Sequence, residues 1–159
     1  MKRTAIGLSA LVCVLLLSSC GMGHYRNDVQ TGQLAKKCAR AIGMENADYG
    51  TWEDMDNGTG EDAPDVTVCR AKDGGSLDEF GIWRAEGDDV REMASLLGDY
   101  LKRNYEDNRA YYDSYLPQET PKLRDAEVRV FGNYAVYAVL EPEKRELFFR
   151  TVEQELKTA

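Results

Sequence analysis

The chain has 159 residues, with 20 basic and 28 acidic side chains and a formal net charge of −8. This acidic balance argues against nucleic acid or bare anionic headgroups as partners, because both would repel the protein. The length is sufficient for one domain with a hydrophobic core.

The first twenty residues have the pattern of a bacterial lipoprotein export signal. Lys2 and Arg3 precede an apolar run over residues 5–17, which is too short for a permanent membrane span. The run closes with Leu-Ser-Ser and Cys20, a lipobox whose cysteine thiol accepts a diacylglyceryl group before cleavage. We therefore expect a signal peptide over residues 1–19 and a lipid on Cys20; the alternatives are an ordinary signal peptide or an uncleaved anchor.

Cleavage would leave a more acidic chain on a short tether. Residues 1–19 carry two basic residues and no acidic one, so the remaining 140 residues have a net charge of −10. We expect a lipidated tether over residues 20–28 and a single domain over residues 29–158. The acyl chains on Cys20 would then be the membrane contact, on the extracytoplasmic face of the cell membrane.

The predicted domain opens with a helix. From Val29 to Ile42 the apolar residues recur near 3.6 positions, with Asp28 as a predicted N-cap and Gly43 as a predicted stop. The acidic segment over residues 45–65 predicts a loop, or a short helix around residues 49–55 followed by a loop.

Two β-hairpins are predicted next to a long helix. Residues 66–71 and 78–85 alternate around an Asp-Gly-Gly turn, and residues 125–131 and 134–140 alternate around Gly132-Asn133. The spacing of apolar residues between the hairpins predicts a helix over residues 90–115, which must end before Pro117 and Pro121.

A last helix is predicted from Pro142, with Phe148, Val152 and Leu156 facing the core. The predicted order is α-ββ-α-ββ-α behind a cleaved signal. We therefore expect an α+β fold in which a mostly antiparallel four-stranded sheet carries its helices on one face.

The C-terminal part resembles a family of bacterial lipoproteins called domain of unknown function 4358. The resemblance covers roughly residues 66–157 and rests on the order of four features. These are the hairpin containing residues 78–85, the long charged helix, the Tyr-Leu-Pro-Gln-Glu stretch at 115–119, and the hairpin around 132–134. The acidic segment over residues 53–62 and the Cys38/Cys69 pair depart from it. The resemblance implies a single-domain lipoprotein architecture, and it implies no activity, cofactor or catalytic residue.

Two cysteines remain after Cys13 leaves with the signal and Cys20 takes the lipid. In an exported protein Cys38 and Cys69 are candidates for a disulfide, whose loop of about thirty residues would contribute roughly 3–4 kcal/mol. The alternative is a pair of buried thiols, one on a helix and one in a strand.

Few residues suggest metal or nucleophilic chemistry. Asp54 and Asp56 lie in an acidic, glycine-bearing segment that could wrap calcium, but the glycine is one position early and Asp65 replaces the expected twelfth-position glutamate. A solvated acidic loop explains the same composition, and we favour it. His24, the single histidine, lies in the predicted tether, where it would be solvated rather than held as a base. We expect no cofactor.

Carboxylates and tyrosines are plentiful without a selective pattern. Candidates for a paired-acid site are Glu79, Asp88, Asp89, Glu106 and Asp107, although a solvated helix face or the helix dipole explains them as well. Seven tyrosines lie near the long helix and the last hairpin, and they predict either a recognition surface or, as we favour, the wet edge of the core: Tyr100, Tyr105, Tyr111, Tyr112, Tyr115, Tyr134 and Tyr137.

These patterns favour a non-enzymatic, lipid-anchored binding domain at the cell envelope, with an envelope protein or a glycan as its partner. The alternatives are a carboxylate-based envelope hydrolase and a calcium-dependent binding module built on the segment over residues 54–62.

Overall fold

A computed structural model describes residues 24–51, 65–85 and 89–158. Within these ranges the chain forms four helices and five strands. In chain order they are α1 (Thr31–Ala41), β1 (Asp48–Gly50), β2 (Asp65–Arg70), β3 (Glu79–Arg84), α2 (Val90–Tyr115), α3 (Thr120–Arg124), β4 (Glu127–Phe131), β5 (Tyr134–Val139) and α4 (Pro142–Leu156).

The strands form one antiparallel sheet in the order β1-β2-β3-β5-β4. Each predicted hairpin is present, and the hairpins join through β3 and β5, where Glu79 faces Val139 and Arg84 faces Tyr134. The sheet therefore has two distinct ends. One carries the β2–β3 turn, and the other carries the β4–β5 turn.

Helices cover both faces of this sheet, so the expected one-sided arrangement is wrong. Phe80 and Ile82 pack on the face shared with α1 and α4, whereas Trp83 and Tyr137 pack on the opposite face against α2 and α3. All six residues of β5 are buried. A strand that is buried on both faces needs apolar side chains in both alternating sets, and the β5 sequence Tyr-Ala-Val-Tyr-Ala-Val supplies them.

Gly81 makes the second apolar layer possible. A Cβ at this position would lie 2.2 Å from the Tyr137 ring and 2.5 Å from the Trp83 ring. The missing side chain lets these two rings meet above β3, with centroids 5.7 Å apart. The glycine therefore has a packing role within the strand.

The sequence prediction missed two short elements. The expected four-stranded sheet has a fifth strand, β1, which pairs with β2 from Asp48 to Gly50. The five-residue helix α3 follows α2, with Pro121 in its first turn. Segments of three and five residues are too short to show a period, and their stability comes from the neighbours against which they pack.

The start of α1 also differs from the expectation. Asp28 does not cap the helix; its carboxylate bonds to Arg26 at 3.0 Å. The helix begins at Thr31, whose hydroxyl donates to Asp65 of β2 at 2.6 Å and whose backbone N–H also reaches this carboxylate. A carboxylate from a distant strand thus satisfies an unpaired N–H at the helix start.

Candidate functional site

A cleft lies at the sheet end that carries the β2–β3 turn, between that turn and the middle of α2. Its volume is about 200 Å³. This is below the roughly 300–1,000 Å³ of typical small-molecule sites, and it suits one small polar group. The cleft is lined by Arg70, Ala71, Ser76, Leu77, Asp78, Glu79, Asn104, Tyr112, Leu123 and Val139.

The turn that forms one wall is held by its own polar side chains. The Asp73 carboxylate accepts the Gly75 N–H at 3.0 Å, and the Ser76 hydroxyl accepts the Asp78 N–H at 3.2 Å. The Leu77 N–H donates to Glu119, just before α3, at 2.8 Å. The wall is therefore fixed to the segment that joins α2 and α3.

A buried ion cluster lies beneath this wall. Lys122 of α3 and Asp78 are 7% and 6% exposed, and their charged atoms lie 2.6 Å apart. Lys122 also reaches Glu119 at 2.8 Å, while Lys144 of α4 reaches Asp78 at 3.0 Å. The cluster thus joins the two helical layers around the end of the sheet.

Ion pairing has a larger effect than burial on the pKa values of Asp78 and Lys122. Burial alone would raise the pKa of Asp78, but hydrogen bonds from Lys122 and Lys144 and their charges hold it below its ordinary value of 3.8. Burial alone would lower the pKa of Lys122, yet Asp78 and Glu119 hold it above 10.5. Both groups are charged at neutral pH.

A second polar group, of three side chains, lies beside the ion cluster at the start of β3. The carboxylate of Glu79 accepts hydrogen bonds from the Tyr137 hydroxyl and from the Arg70 guanidinium. Burial, followed by the charge of Glu79, raises the pKa of Tyr137 well above its ordinary value. The phenol therefore remains a hydrogen-bond donor that holds the carboxylate in place.

The result is a cleft whose charged side chains neutralise one another and whose other polar groups are neutral. Asn104 and Ser76 supply an amide and a hydroxyl, and Tyr112 supplies an aromatic ring. Such a lining suits a neutral, polar ligand, since a charged one would compete with existing ion pairs.

No family model matches the chain, and no curated protein or solved structure is significantly similar to it. The resemblance to the lipoprotein family of unknown function therefore stays a prediction. No helix in the described part of the chain is long and apolar enough to cross a membrane.

The sequence candidates are spread over the molecule. Cys20, Asp54, Asp56 and Asp88 lie outside the described residues. Across residues 24–51, 65–85 and 89–158, no cluster of three or more His, Cys, Asp or Glu side chains is arranged to hold a metal. The lipid anchor stays a prediction, and so does the solvated acidic loop that we favour over a calcium site at Asp54 and Asp56.

Among the carboxylate candidates within the described ranges, Glu79 is the one that lines the cleft. Glu106 lies on the exposed side of α2, 3.9 Å from Lys102, and Asp107 is also exposed. Asp89 lies exposed at the start of α2. None of these three lines the cleft beside Glu79, where a paired-acid mechanism would need its second carboxylate.

Cys38 and Cys69 are free thiols in this structure, both buried in the core between α1 and the sheet. Burial raises the pKa of each to about 12. A nucleophilic cysteine needs the opposite shift, so these side chains act here as small core residues.

The tyrosines differ in how far they are buried. Tyr134 and Tyr137 are fully buried, and Tyr105 and Tyr112 are partly buried. The others are exposed on α2: Tyr100, Tyr111 and Tyr115. Only the partly buried Tyr112 lines the cleft.

Sequence reasoning missed the buried ion cluster. Lys122 and Asp78 are 44 positions apart, and neither lies in a segment whose period marks it as buried. One available signal was the position of Lys122 between Pro121 and Leu123, directly after a helix that has to stop. That position makes a new element plausible, but it does not identify the partner of the lysine.

Proposed function

We propose that this protein is a lipid-anchored domain on the extracytoplasmic face of the cell membrane, and that it binds a neutral envelope glycan by holding one of its sugar groups in the cleft. The anchoring part rests on the lipobox that ends at Cys20. The binding part rests on one observation: the cleft combines an aromatic side chain and neutral polar groups with charges that are already paired. Sugars, which are neutral and rich in hydroxyl groups, match such a lining.

Hydrolysis is the weaker alternative because of the state of the buried carboxylate. A general acid that works near neutral pH needs a raised pKa. The pKa of Asp78 is instead lowered by Lys122 and Lys144, and Glu79 is engaged by Arg70 and Tyr137. An envelope protein remains the alternative partner, to be sought if the glycan test fails.

Anchoring is tested at the acceptor thiol. We expect Cys20→Ser to abolish incorporation of labelled fatty acid and to move the protein from the detergent phase into the aqueous phase. Equal labelling of the variant and the parent would show that Cys20 is not the acceptor.

Glycan binding is tested with two neighbouring tyrosines of α2. Tyr112 lines the cleft, whereas Tyr111 is 57% exposed and lies outside the cleft lining. In co-sedimentation with purified cell-wall glycan, we expect Tyr112→Ala to raise Kd by about tenfold, which corresponds to about 1.4 kcal/mol. Tyr111→Ala should bind like the parent.

Equal loss in both variants would place binding elsewhere on the helix. A parent protein that does not sediment with the glycan would refute the proposed ligand. Melting curves of both variants establish that the comparison is between folded proteins.

A further inference from the structure

The segment just after the predicted lipid anchor is bound to the folded domain. The Arg26 N–H donates to the Leu156 carbonyl at 2.8 Å, and the Thr158 N–H donates to the His24 carbonyl at 2.9 Å. Tyr25 and Lys157 pair as an antiparallel bridge. Residues 24–26 therefore lie alongside the end of α4, although the sequence analysis places them in the tether.

Further contacts fix this segment at one end of the sheet. The Tyr25 ring packs edge-on against Phe131 with a centroid distance of 5.9 Å. The Tyr134 hydroxyl bonds to both backbone groups of Val29, at 3.0 and 2.8 Å. Arg84 donates to the Asn27 carbonyl at 3.3 Å. We call this the anchor end of the domain, defined by Arg84, Phe131, Tyr134 and Leu156.

The cleft lies at the opposite end. Glu79 and Val139 line the cleft, whereas Arg84 and Tyr134, five positions along the same strands, belong to the anchor end. Five strand residues span about 17 Å. The site and the bound N-terminal segment are thus separated by the length of the sheet.

The remaining link to the lipid is short. His24 follows Cys20 by four positions, and four residues reach at most about 14 Å when fully extended. We infer that the anchor end rests on the bilayer surface and that the cleft is held on the far side, open to the envelope. This orientation rests on the proposed anchoring at Cys20.

The charges at the anchor end fit a headgroup surface. The ion pairs there each have a net charge of zero, among them Arg26 with Asp28 at 3.0 Å, Arg84 with Asp65 at 3.0 Å and Lys157 with Glu153 at 2.9 Å. A chain with a net charge of −10 after cleavage would be repelled by anionic headgroups if its acidic regions faced them. Paired charges at this end reduce that repulsion.

Helix α4 offers a matched pair of positions for testing the orientation. Glu143 and Gln154 are both exposed, and their spacing of eleven residues corresponds to three helical turns, so they share one face of the helix. They lie about 16 Å apart along its axis, with Gln154 near the anchor end and Glu143 near the opposite end. Each would be replaced by cysteine in the lipidated protein and coupled to a fluorophore.

Labelling at these positions is selective, because Cys38 and Cys69 are buried and Cys20 would carry the lipid. The protein is reconstituted into phosphatidylcholine and phosphatidylglycerol vesicles containing a lipid with a spin-labelled headgroup. We expect the headgroup label to quench the fluorophore of Gln154→Cys several-fold more strongly than that of Glu143→Cys.

Flotation of the vesicles shows whether a negative result contradicts the anchoring proposal or the orientation alone. A protein that does not float with the vesicles overturns the anchoring proposal, and the orientation with it. A protein that floats but shows equal quenching at both positions overturns the orientation alone. A long flexible Gly-Ser insertion between Met22 and Gly23 should remove the difference in quenching without affecting flotation, and a difference that persists would refute the role of the short link.

Discussion

Lys122 is a single residue whose environment is unusual for its type. Lysine is almost never fully buried unless it is paired, and this side chain is 8% exposed with three carboxylates within 4 Å. Its charge compensates Asp78 and Glu119 and thereby allows the β2–β3 turn to lie against α3. The cleft wall consequently depends on this ion cluster.

Replacing Lys122 tests this dependence. Lys122→Met should lower the free energy of unfolding by about 3 kcal/mol, because the buried carboxylate of Asp78 loses its nearest partner. The matched control is Lys102→Met on the exposed side of α2, where the partner Glu106 is 3.9 Å away. It should cost less than about 1 kcal/mol. Urea denaturation of both variants gives the comparison, and equal losses would contradict the role of the cluster.

The ion pair between Asp78 and Lys122 makes the stability of the protein depend on pH, and the direction of this dependence follows from the two pKa shifts. The pKa of Asp78 is lowered by folding, so its stabilisation is present above 3.8 and is lost as the pH falls through the lower folded value. The pKa of Lys122 is raised, so its stabilisation is present below 10.5 and is lost as the pH rises through the higher folded value. The penalty for Lys122→Met should therefore be smaller at about pH 3 than at about pH 7. A constant penalty would indicate lost packing rather than lost charge.

At the scale of elements, the β4–β5 turn joins the two strands at the anchor end and lies against the N-terminal segment. Gly132 has φ of 56°, and no other residue of this turn is left-handed, since no described non-glycine residue has positive φ. A Cβ on Gly132 would also lie 2.8 Å from the Cβ of Tyr25. The turn thus needs glycine both for its backbone and for the approach of the N-terminal segment.

Alanine substitutions in the two hairpin turns test this requirement. Gly132→Ala should lower stability by about 1–3 kcal/mol, because a left-handed backbone strains a residue with a Cβ. Gly74→Ala in the β2–β3 turn is the control, since its Cβ would meet nothing within 4 Å. Thermal melting should show a Tm about 5 °C lower for Gly132→Ala and little change for Gly74→Ala. Equal melting temperatures would show that neither the strain nor the contact matters.

The elements themselves were largely predictable from local patterns. Both hairpins and the helix over residues 90–115 are confirmed, because alternation, turn residues and a 3.6-residue period act within a few positions of one another. β1 and α3 were missed because they are too short to show a period. The cleft residue Glu79 was named among five carboxylates, but nothing local selects it from the other four.

At the scale of the whole molecule, Cys38 and Cys69 lie in the core that joins α1 to the sheet. Burial raises the pKa of both thiols to about 12, and a thiol reacts as its thiolate. In the cleaved protein with lipid on Cys20, we expect neither thiol to react with a disulfide reagent in the folded state and two thiols to react after denaturation without reductant. The exposed cysteine of Gln154→Cys should react at once in the folded protein and serves as the control.

The thiol count also decides between the two alternatives left open by the sequence. A denatured, unreduced protein with no reactive thiol would establish a disulfide between Cys38 and Cys69 in the exported protein. Fast reaction of either thiol in the folded state would contradict the burial that the structure shows.

The sequence by itself determined the elements whose information is local, and it predicts the export signal from twenty consecutive residues. Tertiary structure decided everything that depends on distant partners. Helices cover both faces of the sheet because β5 is apolar on both sides. Lys122 meets Asp78 across 44 positions, and His24 meets Thr158 across 134. The periodicity of a segment predicts which of its sides is apolar. It does not predict which distant segment covers that side, because the choice depends on how the packed elements fit together.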